Sequence, residues 1–358
     1  SEDDVLGQRF GYVGSLSYSR TQELRRDELR SRAVPGDTTG TPVPYNPFLG
    51  STGQSSVLWG GLLNMSLYLG RGTKLTLDNT YDRTADNAAH QDWGTLEEFT
   101  QVDSVRRTSL QYVERTVRSD QLRGEHQIND ANTLTWSVTS SGVTRVEPDR
   151  SDLAYGYEWA PTGERLPLAW LGFIPEAAKR MSSHLSEDAL SGDVGWALSF
   201  GPADAASTLK VGGSYRRTTR DSRTVSYNLR ALGMTQAERA ASPQELFDGV
   251  YTQGDTAKIT LEPNTAGGTY NADDRVSAGY AMLEVPLGRW LRVVGGARLE
   301  RWNLGMNALP TSGQTVRIER TNTDVLPSLA LNVRLGESQT LRLSATRTLA
   351  RPEYRELA

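Results

Sequence analysis

The 358-residue sequence has no cysteine. That excludes a disulfide framework and any thiolate metal centre, and it suits an exported protein, which can omit cysteine altogether. Histidine is almost as scarce. His90, His126 and His184 stand far apart with no second ligand at helical spacing, so they read as polar loop or wall residues, and neither a metal nor another cofactor is expected. Long apolar runs are missing too. Mean hydropathy is −0.51, and no stretch approaches the roughly 18 apolar residues of a spanning helix. This excludes a helical membrane protein but not a membrane β-barrel, whose strands are apolar only at every second position. There is no excess of positive charge either: a net charge of −4 and a pI near 5.6 give no pull toward nucleic acid.

The motifs of chemistry are equally sparse. No nucleophile elbow, phosphate loop or dinucleotide fingerprint occurs, and Gly212-Gly213, Gly267-Gly268 and Gly295-Gly296 lack the strand–turn–helix setting that a phosphate cradle needs. Carboxylates are plentiful, but no spacing singles out a pair. No catalytic residue and no enzymatic activity are expected. Ser1-Glu2-Asp3-Asp4 is acidic where an export signal would be basic and then apolar, so Ser1 is expected to be either a cytosolic start or the beginning of an excised piece.

What is present is alternation. Phe10, Tyr12, Gly14, Leu16 and Tyr18 share one face of a strand, as do Trp59, Gly61, Leu63, Met65, Leu67 and Leu69, and then Leu75, Leu77 and Tyr81 after a turn at Gly70-Arg71-Gly72. Leu134, Trp136 and Val138, then Val194, Trp196, Leu198 and Phe200, then Leu209, Val211, Gly213 and Tyr215 continue the pattern, and Leu291, Val293, Gly295, Ala297 and Leu299 repeat it. Between Leu110 and Ile128 the apolar face changes sides near Arg115, which a β-bulge would explain. Short connections near Arg71, Asp130, Ala203, Leu287 and Glu337 alternate with stretches expected as long loops, about 23–56, 82–105, 145–191, 229–275 and 304–321. Within the third, Pro175 to Leu190 could hold a short helix; within the fourth, Thr235 to Phe247 is short-helical at best.

Every short turn at one end and every long loop at the other is the arrangement of an antiparallel up-and-down transmembrane β-barrel, with lipid outside and a polar lumen inside. About eleven strands are expected, an odd number that does not close on itself as a bacterial single-chain barrel, which uses an even number. Lys74, Asp78, Arg216, Arg292, Arg298, Glu300 and Arg342 fall opposite the apolar faces. Each would cost several kcal/mol on lipid (roughly 2–4 for Arg or Lys near the midplane), so they are expected to face the lumen. Tyr18, Tyr81, Phe200, Tyr215 and Trp290 suit interface girdles. Loops on a rigid scaffold carry binding, so Trp93, Tyr155, Tyr157, Trp159, Trp170 and Phe173 are the candidates for contact with a solute, with a local mini-core as the alternative. A passive porin-like channel and a soluble β-rich carbohydrate-binding or hydrolysing protein remain open on pattern alone.

The C-terminal side carries something more specific. Leu326-Pro327-Ser328-Leu329 leads to Leu341-Arg342-Leu343-Ser344 and on to Leu349-Ala350-Arg351-Pro352-Glu353-Tyr354-Arg355-Glu356-Leu357. With Tyr280 to Glu300, this resembles the barrel hairpins of TonB-dependent outer-membrane receptors. Pro352 lacks a ladder donor, so the strand should end or turn irregular there; Arg351, Glu353, Arg355 and Glu356 are expected as structural ties at the rim. The resemblance implies a receptor in the outer membrane of a Gram-negative bacterium that takes up a scarce, small or medium-to-large solute (an iron–siderophore, cobalamin or an oligosaccharide). It also implies a 22-stranded barrel of which this chain is about half, with a plug domain faced by the lumen residues above, and outer-membrane lipid and the TonB complex as further partners. No plug or TonB box is seen, and Ala358 falls inside the family-like passage, so this chain is expected to be only part of such a receptor.

Overall fold

The alternating stretches become ten long antiparallel strands and a short last one, each paired with the next by a hydrogen-bonded ladder. The computed structural model describes residues 2–5, 8–36, 42–202, 205–247, 249, 251–264, 267–310 and 313–357, with the side chains of residues 2–5, 8, 256 and 355 excluded. Ser1, Ala358, the centre of the turn at Ala203-Asp204 and the side chain of Arg355 therefore lie outside the described part. In chain order the strands are β1 (Glu2–Val5), β2 (Gln8–Pro35), β3 (Pro42–Leu69), β4 (Thr73–Gly94), β5 (Val102–Asn129), β6 (Asn132–Glu158), β7 (Ala169–Trp170), β8 (Ala178–Phe200), β9 (Ser207–Ala231), β10 (Ile259–Asn264), β11 (Thr269–Leu287), β12 (Leu291–Leu309), β13 (Val316–Arg334) and β14 (Thr340–Thr346). Helices α1 (Gln236–Arg239), α2 (Pro243–Phe247) and α3 (Tyr354–Leu357) are short. No helix among the described residues is long and apolar enough to cross a membrane.

All pairings are antiparallel and sequential apart from β7, which pairs with β6, and β10, which pairs with β9; the path ends at β1 and β14 with no pairing between those ends among the described residues, so the sheet is open. Because paired residues point the same way, register carries a face from strand to strand. Leu16 pairs with Gly61, which pairs with Tyr81. Leu134 pairs with Trp196, and Trp196 with Val211. Leu299 pairs with Val325, and Leu331 with Leu343. These residues form one apolar band, broken by Asn79 and Asp120, which hydrogen-bond each other. On the same face, above the band, Asp273 accepts from both Arg217 and Arg275. Arg217, Arg275 and Arg301 each lie about ten residues from their short turns, which matches the 9–11 residues a tilted strand needs to cross hydrocarbon.

The strands are taller than the sequence pattern indicates. Those from β2 to β13 in the main path run 19 to 28 residues, about twice a membrane crossing. The stretches 23–56, 82–105, 145–191 and 304–321 are therefore largely strand rather than loop, whereas 229–275 stays mostly connection. Above lipid both faces meet water, so the apolar alternation fades while the backbone ladder of the neighbouring hairpin still fixes the extended chain. Only 159–177 and 232–268 stay long as connections between main-path strands. The helix expected within Pro175 to Leu190 is absent; that segment enters β8, whereas 235–247 does form α1 and α2. The bulge expected near Arg115 is not in β5, whose ladder with β4 is unbroken; the extra residue lies opposite, in β6 between Val146 and Arg150, where both of its ladders shift register.

Candidate solute-binding cavity

The upper parts of β2 to β6 and β8 enclose a cavity of about 560 Å³ on the face opposite the apolar band. Unbroken register in the β3–β4 and β4–β5 ladders puts Thr52, His90 and Arg107 on the same face as Asp78. Arg25, Arg30, Arg107, Arg150 and Lys179 line it against Asp92, Asp152 and Glu176. Glu28 lies behind Thr52, whose hydroxyl donates to it. Five cations thus face four carboxylates, an excess of one positive charge.

These side chains are held in place. Arg107 donates from Nε to Asp92 Oδ1 at 3.0 Å and from its terminal nitrogen to Oδ2 at 2.9 Å, and its guanidinium carbon sits 3.4 Å from the Phe48 ring centroid. A bidentate pair stacked on an aromatic ring fixes the plane of an arginine. Asp92 is only 1% exposed. Burial alone would push its carboxyl up, but the hydrogen bonds from Arg107 and His90, with the guanidinium charge, outweigh that and hold it below the usual carboxylate range. Arg150 pairs with Asp152 at 3.1 Å, and Ser109 donates to the same carboxylate. Next along the wall, Glu147 accepts from Gln111 at 2.6 Å and from Arg145 at 2.7 Å.

None of the six aromatics singled out from the sequence lines this cavity. Tyr155 and Trp170, 4% and 0% exposed, are instead core. They pack with Val105, Leu171, Leu229 and Leu246 where the two long connections fold together at the tall end of the sheet. The Tyr155 hydroxyl donates to the Ala241 carbonyl, and Trp170 Nε1 to the Ala177 carbonyl. Burial raises the Tyr155 hydroxyl to about 12. Their expected role in solute contact gives way to the mini-core alternative, since Tyr155, near the end of β6, and Trp170, in β7 within the first long connection, are both buried. Trp93 and Tyr157 stack on each other at 6.1 Å, Arg165 lies 3.8 Å over Tyr157, Phe173 faces Arg239, and Trp159 bridges to Arg165. What the sequence reading missed is the alternation of charge within the polar strand extensions. His90 and Asp92, and Arg150 and Asp152, are two apart and so point the same way.

Lys74, Asp78, Arg216, Arg292, Arg298, Glu300 and Arg342 fall on the cavity's face of the sheet, each paired in register with a neighbour on that face. The passage after β14 turns onto this face too. Tyr354 packs against a cluster of Tyr270, Val276, Trp302 and Met306, its hydroxyl 3.3 Å from Asp274 Oδ2, which also accepts from Trp302 Nε1 at 3.0 Å. Arg351 pairs with Glu300, while the Glu353 backbone N–H donates to the Glu356 carboxylate. Pro352 lies beyond the end of β14 at Thr346, where no ladder needs the N–H it lacks.

Comparison with known proteins places these features. Residues 67–358 match the family model described as TonB dependent receptor-like, beta-barrel. Among solved structures, the chain is similar to the siderophore receptor PiuA from Acinetobacter baumannii at 8% identity, with 84% of this chain and 47% of that one covered and a TM-score of 0.42. It is also similar to the closed form of the ferric-catecholate import receptor Fiu from E. coli K12, at 13% identity, with 94% and 49% covered and a TM-score of 0.49. The chain spans about half the length of these structures. No curated protein sequence matches.

Proposed function

This chain belongs to the TonB-dependent receptor-like β-barrel family, and on that premise we propose that it forms about half the wall of a 22-stranded outer-membrane barrel that takes up an anionic solute. The apolar band faces lipid, and the short turns at 70–72, 130–131 and 288–290 lie on the periplasmic side. The tall strand extensions and the two long connections stand outside the cell. The observation that carries the solute class is the cavity near the tall end, where Arg25, Arg30, Arg107, Arg150 and Lys179 outnumber the carboxylates. An anionic iron chelate would meet that excess with its own charge, whereas a neutral oligosaccharide leaves the cations uncompensated. Lys74, Asp78, Arg216, Arg292, Arg298, Glu300 and Arg342 face a plug domain within the barrel, and TonB supplies energy through the plug. No covalent chemistry is assigned to the chain.

Tryptophan fluorescence of the detergent-solubilised protein tests the reading. Anionic ferric chelates are expected to bind and neutral oligosaccharides are not, with Arg107→Gln weakening the chelates about tenfold or more, as loss of a charge-assisted contact does. Oligosaccharide binding that is indifferent to Arg107 and Arg150 would sink the assignment. Uptake in cells is expected to stop when a protonophore collapses the proton gradient; persistence would mark a passive channel instead.

A further inference from the structure

Within the cavity wall, four side chains from three strands make an unbroken line of contacts. Asp92 Oδ2 lies 2.9 Å from His90 Nε2, and His90 Nδ1 lies 2.9 Å from Thr52 Oγ1. Thr52 Oγ1 meets Glu28 Oε2 and also receives the Arg30 guanidinium at 3.3 Å. Each of the three contacts in this line needs one proton between its two heavy atoms. A neutral imidazole supplies one and the threonine hydroxyl a second, while two carboxylates supply none. The line is one proton short unless a further proton is bound.

Three places could hold it, and the surroundings select one. Asp92 already accepts both arms of Arg107, which fixes it as a carboxylate. Glu28 has Arg25 and Arg30 within ion-pair distance, at 3.6 and 3.5 Å. Both acids are also held below the usual carboxylate range: Glu28 first by the hydrogen bond from Thr52, against a smaller opposing effect of burial, and Asp92 by Arg107 and His90 against a larger one. The imidazole remains. With both nitrogens protonated it donates to Asp92 and to Thr52, leaving the threonine hydroxyl free to donate to Glu28.

We propose that the Asp92–His90–Thr52–Glu28 line holds one extra proton as a His90 imidazolium, and that this proton strengthens anion binding in the cavity. The inference rests on the anion-binding reading of the same cavity. The charged groups around the ring are Arg25, Glu28 and Arg30 from β2, Asp92 from β4 and Arg107 from β5. Across the cavity stand Arg150 and Asp152 of β6, Lys179 of β8 and Glu176 just before it. Over this set the imidazolium raises the cationic excess from one charge to two. Loss of the proton leaves a nitrogen lone pair facing either the Asp92 carboxylate or the Thr52 oxygen, so one contact opens and the excess halves.

The test uses the full protein in detergent micelles and 1,3,6,8-pyrenetetrasulfonate, a fluorescent anion whose charge is constant over the range studied. Nitrogen-15 spectra, with His90→Gln identifying the signals, are expected to show both His90 ring nitrogens protonated at pH 5.5. Probe affinity is expected to fall about tenfold between pH 5.5 and 8.5 in the wild type and less than about twofold in His90→Gln. A single N–H tautomer of His90 at pH 5.5 overturns the proton line, whatever the probe does. The same pH slope in wild type and variant overturns the coupling. A probe that binds at no pH, with the imidazolium seen, overturns the anion reading of the cavity and the coupling with it.

Discussion

Arg351 forms an ion pair with Glu300, 51 positions earlier in β12, and the two are joined from the other side by Arg298, which reaches Glu300 at 3.0 Å. The Arg351 guanidinium also sits 5.2 Å from the Trp302 ring centroid. One carboxylate thus ties the passage after β14 to the inner face of the sheet, with Tyr354 as the second anchor.

If that tie holds the passage down, Arg351→Ala should free it. Limited trypsin cleavage after Arg347 is expected to quicken about tenfold, the effect of about 1.4 kcal/mol less protection against local opening. Arg317→Ala, which removes an exposed pair with Glu319, should leave the rate unchanged. Equal rates in all three proteins would mean that Glu300 does not anchor the segment.

The Tyr280 ring lies across Gly212 on the neighbouring strand. A Cβ at Gly212 would come 2.5 Å from the Val194 carbonyl oxygen and 2.6 Å from the Tyr280 hydroxyl. The backbone oxygen cannot move aside, so Gly212→Ala is expected to cost about 1–3 kcal/mol and to lower the thermal midpoint of the barrel in detergent. Gly213→Ala, where the nearest atom is 3.3 Å away, should be milder. A midpoint that falls more for Gly213 than for Gly212 would contradict the packing.

Leu343 and Ser344 are adjacent on β14 and face opposite sides. Leu343→Arg puts a guanidinium on the lipid face at a cost of roughly 2–4 kcal/mol near the midplane, and insertion into the outer membrane should drop sharply. Ser344→Arg faces inward and should insert normally. Lysine at Leu134 or Trp136 should behave as Leu343→Arg does. Normal insertion of every variant would remove the lipid-facing assignment.

Asp92 gives a prediction with a defined pH sense. Its carboxyl is held below its ordinary value, so its pairing with Arg107 adds stability above the unfolded pKa, and that contribution is lost as the pH falls through the lower folded pKa. Wild type should therefore exceed Asp92→Asn in thermal midpoint at pH 7, with the gap closing only below about pH 4. A gap unchanged down to pH 3 would show that the carboxylate charge contributes nothing.

The sequence made the membrane half of this sheet legible and hid the rest for one physical reason. In lipid, Leu341 and Leu343 must alternate with Arg342 and Ser344, because an error of face is expensive there. Beyond Arg217 and Arg301 water wets both faces, so His90, Asp92, Arg107 and Arg150 are extended without showing an apolar stripe. The same loss of contrast misdirected attention in the site. Trp170 and Tyr155 stood out as aromatics in a presumed loop and proved to be core, while the cavity is lined by short-range charge alternation that resembles an ordinary solvated surface. The Arg351 to Leu357 passage was recognisable, but its partner Glu300 could be found only through the register of β11 to β14.

The height of the strands sets a distance. His90 lies seven residues beyond Arg83, where the outward-facing residues of β4 turn charged, or about 23 Å of strand at 3.3 Å per residue. On the uptake reading proposed above, a solute held there is still outside the bilayer, with the whole thickness of the membrane ahead of it. Capture and passage then become separate events with separate rates, and a macromolecule too large to enter the barrel, such as an antibody against the rim, could block the first without touching the second.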